Sequence, residues 1–266
     1  MQISSTVKAY FSPTGTTQKI INAIAKGINA DEVKTIDLTL PEGASKEISG
    51  LNDELIIIGA PVYSGRLPAE AAKRLSKLKG NNTPAVLVVL YGNREFEDAL
   101  IELKDLATEN GFVPVAGAAF IGEHSFTSPE TPIAVGRPDT DDIARAEEFG
   151  KEIIKKLSSI EDIKNETPVE VPGNKPYKNG MPASDDCAKT SMDLCTRCGT
   201  CVAICPTGAI TDDDSYTTDP VLCILCAACI KGCPEGARYL DSERVKKASK
   251  WLTENFSTPK QPEIFI

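Results

Sequence analysis

The nine cysteines of this 266-residue chain all lie between Cys187 and Cys233, and eight of them obey one spacing twice. Cys195, Cys198, Cys201 and Cys205 with Pro206 read C-x2-C-x2-C-x3-C-P, and Cys223, Cys226, Cys229 and Cys233 with Pro234 read the same. CTRCGTCVAICPTGAI (195–210) aligns without gaps on CILCAACIKGCPEGAR (223–238), sharing every cysteine, the proline and the following Gly-Ala. Thiols packed this densely, behind an opening MQISSTVKAYF that does not read as a secretory signal, lead us to expect metal or redox chemistry rather than a disulfide framework. Zinc sites pair two widely separated Cys or His halves. Here one histidine accompanies a triple-cysteine spacing that occurs twice, which favours two [4Fe-4S] clusters over zinc. Cys187 stands outside the repeat, and the sequence leaves open whether it is a small buried hydrophobe or a redox group.

A second set of residues suits phosphate. Ser12-Pro13-Thr14-Gly15-Thr16-Thr17 follows an apolar run and opens a helical pattern. Hydroxyls at this spacing, with Gly15 letting the backbone approach, would surround a terminal phosphate with O–H and N–H donors. No lysine follows the glycine and no G-x-G-x-x-G is present, so neither a triphosphate nor a pyrophosphate suits the loop. Taken alone it could equally be a helix cap. The single histidine, His124 in GEHSF, lies past the last apolar run. It is a candidate acid, base or substrate-orienting group, or an ordinary loop residue.

The elements that must position these groups are legible. STVKAYF (5–11), EVKTIDL (32–38), ELIIIGA (54–60), AVLVVLY (85–91) and FVPVAGAAFIG (112–122) read as strands, mostly continuous apolar runs as expected for strands buried on both faces. Helical patterns over 16–26, 68–78, 95–110 and 140–157 alternate with them, while 40–50 gives no clear signal. This predicts a doubly wound parallel sheet with its ligand at the carboxyl ends of the strands. The polar, Pro- and Gly-containing stretch 158–186 reads as a surface linker. The segment 241–256 reads as a helix with Asp241 as candidate cap, and an apolar ending follows it. The predicted organisation is a first domain over 1–160, a linker over 161–185, a cysteine domain over 186–240, and a helix and tail over 241–266. A net charge of −9 argues against nucleic acid. The apolar runs are too short to span a bilayer, so the expectation is a soluble, cytoplasmic protein without membrane insertion.

The first loop resembles the phosphate loop of flavodoxins, which bind FMN. Two later stretches resemble the flavin-contacting loops of that family: Gly59 to Pro68, including Pro61, Tyr63, Ser64 and Gly65, and Tyr91-Gly92-Asn93-Arg94-Glu95-Phe96. The resemblance implies FMN held by Ser12, Thr14, Gly15, Thr16 and Thr17. It implies Tyr63 first and Tyr91 second as ring-stacking residues, with Gly92, Asn93 and Phe96 nearby. It also implies a Gly65 peptide free to flip toward a reduced flavin nitrogen. The cysteine repeat resembles bacterial two-cluster ferredoxins. That resemblance places Cys195, Cys198, Cys201 and Cys233 on one cluster and Cys223, Cys226, Cys229 and Cys205 on the other.

The chain as a whole resembles flavodoxin–ferredoxin fusion proteins of anaerobes. The implied fold class is α/β: a flavodoxin-like, doubly wound five-stranded parallel sheet followed by a small α+β ferredoxin-like domain. The implied function is electron transfer between FMN and two [4Fe-4S] clusters, with a redox protein partner and a homodimer left open. The alternative is an FMN-dependent reductase of a small acceptor such as a quinone or nitro compound, so the chain is a carrier or an oxidoreductase. GRPDTDD (136–142) and VPGNKPY (171–177) also resemble the family, but their chemistry suggests no role.

Overall fold

A computed structural model describes residues 3–44, 47–51 and 54–266. The chain runs β1 (Ser5–Tyr10), α1 (Thr16–Ile28), β2 (Glu32–Asp37), β3 (Ile48–Leu51), β4 (Leu55–Pro61), α2 (Ala69–Leu75), β5 (Leu78–Gly80) and β6 (Thr83–Tyr91). It continues with α3 (Ala99–Glu109), β7 (Phe112–Ile121), α4 (Thr140–Ser159), β8 (Lys189–Thr190), α5 (Thr200–Ala203) and α6 (Ala228–Lys231). It ends with β9 (Arg238–Tyr239), α7 (Glu243–Asn255) and β10 (Glu263–Phe265). The segment without a clear signal holds a 3-10 turn, Pro41–Ala44, and β3, which pairs in parallel with β5; residues 45 and 46 lie outside the described residues.

The five expected strands form a parallel array in the order β7-β6-β4-β1-β2. Successive residues along each strand serve opposite faces, because strand side chains alternate. Ile56 and Ile58 enter the core beneath α2 and α3, while Leu55 and Ile57 enter the core against α1 and α4. Burying each such side chain contributes about 1.5–3 kcal/mol. Glycine decides how closely α1 and α4 approach: a Cβ at Gly27 would stand 1.9 Å from the Glu147 carbonyl oxygen.

The sheet differs from the five-stranded expectation by one strand. The apolar tail forms β10, which pairs antiparallel with β7, Ile264 opposite Ala118. A tail strand covers an edge that would otherwise present unpaired backbone groups. The helix α7 starts at Ser242, whose hydroxyl accepts from Val245 N, rather than at Asp241.

The 161–185 stretch does cross the surface, but it is pinned there. Val169 N donates to Pro114 O at 2.8 Å, and the Asp98 carboxylate accepts from Asn174 N and Lys178 N, both at 2.8 Å. The Arg66 guanidinium pairs with Glu102 and lies 4.6 Å from the Tyr177 ring. VPGNKPY thereby acquires a structural role. GRPDTDD acquires one too: Asp139 and Asp142 form a capping box on α4, and Arg137 joins Asp142 to the Lys260 carbonyl of the tail.

The cysteine region holds the short helices α5 and α6, the antiparallel pair β8–β9, and a small core of its own that includes Ala188, Ile210 and Tyr216. Among the described residues, no helix is long and apolar enough to cross a membrane.

Candidate functional site

The strand order reverses between β1 and β4, and an open sheet leaves its crevice there, outside the carboxyl ends of the strands. A cavity of about 110 Å³ occupies that place. Thr14 and Thr16 line it together with Pro61, Tyr63 and Ser64 and with Tyr91, Gly92 and His124.

The loop at the β1 end has the form of an anion nest. Gly15 adopts φ +78° ahead of α1, its N–H donates to Ser12 O at 3.1 Å, and a Cβ there would meet nothing within 4 Å. The first turn of α1 carries no acidic residue that would compete with an anion for its orphan amides. The Thr17 hydroxyl is buried without a hydrogen-bond partner. A buried hydroxyl left unpaired costs free energy, and an anion in the nest would satisfy it. Ser12 acts on the helix instead, since its hydroxyl accepts from Gln18 N.

Tyr63 and Ser64 of the lining belong to a tight turn, Tyr63-Ser64-Gly65-Arg66, with φ +55° at Ser64 and +80° at Gly65, closed by mutual Tyr63–Arg66 backbone bonds. Glycine is required at the second position, where a Cβ would stand 1.8 Å from Glu97 Oε2. The Gly65 carbonyl is committed to Asp98 N at 3.0 Å, so any flip belongs to the Ser64–Gly65 peptide rather than to that carbonyl. The Tyr91 hydroxyl is another buried group without a partner. Burial pushes the Tyr91 phenol well above its ordinary range, so it is present as a neutral O–H.

Two residues expected here are elsewhere. Asn93 is 2 % exposed, and its side chain clamps the tail: Nδ2 donates to the Phe256 and Thr258 carbonyls, and Oδ1 accepts from Lys260 N. Phe96 is a core residue packed on Tyr91, with ring centroids 5.5 Å apart. Sequence spacing alone could not separate inward from outward positions of this loop, because the tail that claims Asn93 is 163 to 167 residues away.

His124 does reach the cavity. Its Nδ1 accepts from Phe126 N at 3.0 Å, which leaves the proton of the neutral ring on Nε2. Burial, then the Lys231 and Arg94 charges, hold its pKa down to about 4. A Cβ on Gly92 would stand 2.2 Å from the imidazole, so glycine there lets the ring in. A neutral His124 is a hydrogen-bond donor at ordinary pH rather than a proton store.

The remaining wall comes from the cysteine region. Ile224 and Leu225, between the first two cysteines of the second repeat, line the same cavity. The contacts that hold this docking include Lys231 Nζ–Glu123 Oε1 at 2.7 Å, Lys231 Nζ to His124 O at 3.4 Å, and Arg74 Nη2 to Pro206 O at 2.6 Å, and α7 adds Ser249 Oγ to Phe126 O at 3.4 Å. A signal for the wall existed in the sequence: the second repeat has Ile-Leu where the first has Thr196-Arg197. An adjoining cavity of about 330 Å³ shares His124 and Tyr91 and is also lined by Trp251 and Leu252 of α7.

The eight cysteines of the repeat ring two separate cavities. Cys195, Cys198, Cys201 and Cys233 line one, and Cys205, Cys223, Cys226 and Cys229 line the other. Each repeat therefore lends its fourth cysteine to its neighbour's cavity. Among the described residues, no three His, Cys, Asp or Glu side chains converge on a single point as one metal ion would need. Four thiols around a space are instead a donor set suited to a multi-iron cluster. Backbone amides already point at the sulfurs: Ala209 N lies 3.3 Å from Cys205 Sγ, and Ala237 N 3.2 Å from Cys233 Sγ. Cys187 lies outside both rings, its thiol 3.6 Å from Thr218 O.

Residues 188–211 match a family model described as a 4Fe-4S binding domain, and residues 221–236 match a second model of the same description. No curated protein matches the chain. Among solved structures, it is similar to a flavodoxin from the domain Archaea at 16% identity and TM-score 0.38, covering 58% of this chain and 99% of that one. It is similar to oxidised flavodoxin 1 from Bacillus cereus at 20% identity and TM-score 0.40, covering 57% and 98%. Rubredoxin oxygen:oxidoreductase from the anaerobe Desulfovibrio gigas is similar at 13% identity and TM-score 0.40, covering 59% of this chain and 36% of that one. The strand order in the structure itself gives the fold, since the parallel strands follow the flavodoxin-like 2-1-3-4-5 arrangement. The chain thus joins a flavodoxin-like sheet to a region that carries the 4Fe-4S binding motif twice.

Proposed function

We propose that this chain is an electron-transfer iron–sulfur flavoprotein that holds FMN in the cleft and a [4Fe-4S] cluster in each cysteine ring. The observation that carries the reading is the shared wall: Ile224 and Leu225, between two ring cysteines, line the cavity that Thr14, Thr16 and Tyr63 also line. FMN exchanges one or two electrons and each cluster one, so the pair converts between the two modes. Gly15 and the hydroxyls of Thr14, Thr16 and Thr17 would hold the phosphate. Tyr63 and Tyr91 would flank the ring system, and the neutral His124 would donate from Nε2. Leu225, 5 % exposed, keeps water out between the cleft and the nearer ring. A redox protein is the partner this arrangement suits.

Reduction of a small acceptor is a second reading, favoured by the 330 Å³ cavity beside the cleft, with Arg94 and Trp251 in its wall. Anaerobic purification with iron, sulfide and flavin analysis, followed by a stepwise redox titration, tests the main reading. One FMN with two reducible clusters is expected; zinc, or no flavin, would sink it. Turnover of quinones or nitro compounds distinguishes the second reading.

A further inference from the structure

One charged group in the cysteine region has no carboxylate to neutralise it. Arg238 is 3 % exposed. Its Nη1 donates to Thr190 Oγ1 and to Tyr216 O at 2.8 Å, and its Nη2 donates to the Ala188 carbonyl at 3.2 Å and to Thr218 Oγ1. Its Nη2 also lies 3.9 Å from Cys229 Sγ, while its Nε is buried with no partner. Among the described residues, no carboxylate accepts from it. Burying an unpaired guanidinium is costly unless an anion compensates.

The position of Arg238 says which anion. It lines the ring of Cys195, Cys198, Cys201 and Cys233, and it touches a sulfur of the other ring. It therefore stands between the two. The repeat makes the point independently: the equivalent residue of the first repeat is Ile210, a buried hydrophobe. Packing alone is met by an isoleucine at that place, so the charge is the feature that needs a reason.

We propose that Arg238 is the shared counter-cation of the two clusters and raises the reduction potential of both. This rests on the two-cluster reading above. Each cluster gains one negative charge when it takes one electron, and a fixed cation in a poorly polarisable interior favours that state. One guanidinium facing both rings lowers the cost of reducing either and of holding both reduced together. Arg238 is a positioning and tuning residue, since it ligates nothing.

The test uses the full-length chain loaded anaerobically, as wild type, Arg238→Gln and Arg238→Lys. Each is assayed for iron and sulfide and titrated stepwise with EPR detection of the reduced clusters. Iron and sulfide in the wild type test the two-cluster reading on its own, so failure there is distinct from failure here. R238Q at full iron content is expected to hold both electrons at least tenfold less tightly, about 59 mV to the negative side for a one-electron couple. R238K is expected to stay close to wild type. Fully loaded R238Q with unchanged potentials overturns the proposal. Should R238Q fail to load, full loading of R238K still supports a required cation, whereas failure of both variants makes the role a structural one of the guanidinium fork and overturns it.

Discussion

The two cysteine repeats share a backbone and differ in what they face. Arg197 and Leu225 both take positive φ, at 60° and 54°, and so do Gly199 and Ala227, at 72° and 60°. Both repeats run into a four-residue helix, and both aim an alanine amide at the fourth cysteine. Yet Cys198 is exposed where its counterpart Cys226 is 8 % exposed, and Arg197 reaches solvent where Leu225 closes the cleft. Lys231 of the second repeat bonds Glu123, whereas its counterpart is Ala203. Identical cysteine spacing therefore makes one outer and one inner ring, and the residues between the cysteines choose which is which.

That difference yields testable expectations, the strongest at the ligands themselves. Cys226→Ser should lose the inner ring's iron and slow flavin reduction by a one-electron donor by at least ~100-fold, since loss of mere supporting contacts already costs ~10–100-fold at metal sites. Cys198→Ser should lose only the outer ring's iron and leave electron exchange between flavin and the inner ring intact, as read by stopped-flow absorbance. Equal effects from the two variants would remove the distinction between inner and outer.

Next comes stability. Leu225→Ala should cost about 2–5 kcal/mol, as for other buried leucines, while Arg197→Ala should stay within about 0.5 kcal/mol. Denaturant unfolding of the two variants side by side measures this. A smaller effect is expected at the docking ion pair. Both Lys231 and Glu123 are partly exposed, so Lys231→Ala should cost no more than ~1 kcal/mol, and less at high salt.

The smallest effect concerns how loss of Lys231 changes the titration of His124. Its folded pKa of about 4 lies below the ordinary 6.5, so the neutral ring is the form the fold favours. Its contribution to stability is therefore full above about pH 6.5 and is lost as pH falls from there toward 4. Lys231→Ala should raise that pKa while leaving it below 6.5, because burial is the larger cause. An NMR titration of the imidazole reads this directly. An unchanged value would mean that the second repeat does not act electrostatically across the interface.

Much of the fold was legible because its signals are local. Continuous apolar strands such as 85–91 and amphipathic helices such as 16–26 follow from periodicity, and the observed elements lie within a few residues of those expected, apart from a shorter α2 and a later start to α3. The cleft was legible only in part. Gly15, Gly65 and Gly92 carry their constraint in their own positive φ or in the lack of a Cβ, so the loop pattern exposes them. Asn93 and Phe96 sit in the same pattern, but contacts with the tail and with Tyr91 fix their direction. Trp251 gave no motif, and Leu225 and Arg238 showed only as departures from Arg197 and Ile210 of the first repeat, whose meaning depends on what packs opposite.

By itself, then, the sequence determined the five central strands, the spacing of the cysteines and the repeat, since each depends on neighbours within a turn, a strand or a tight loop. Only the tertiary structure decided that the second repeat is the inner one, that the tail closes the sheet edge, and that one guanidinium stands between the rings. Those outcomes depend on which surfaces meet after the chain folds, and an unpaired charge or an apolar pair names its partner only once burial has placed it.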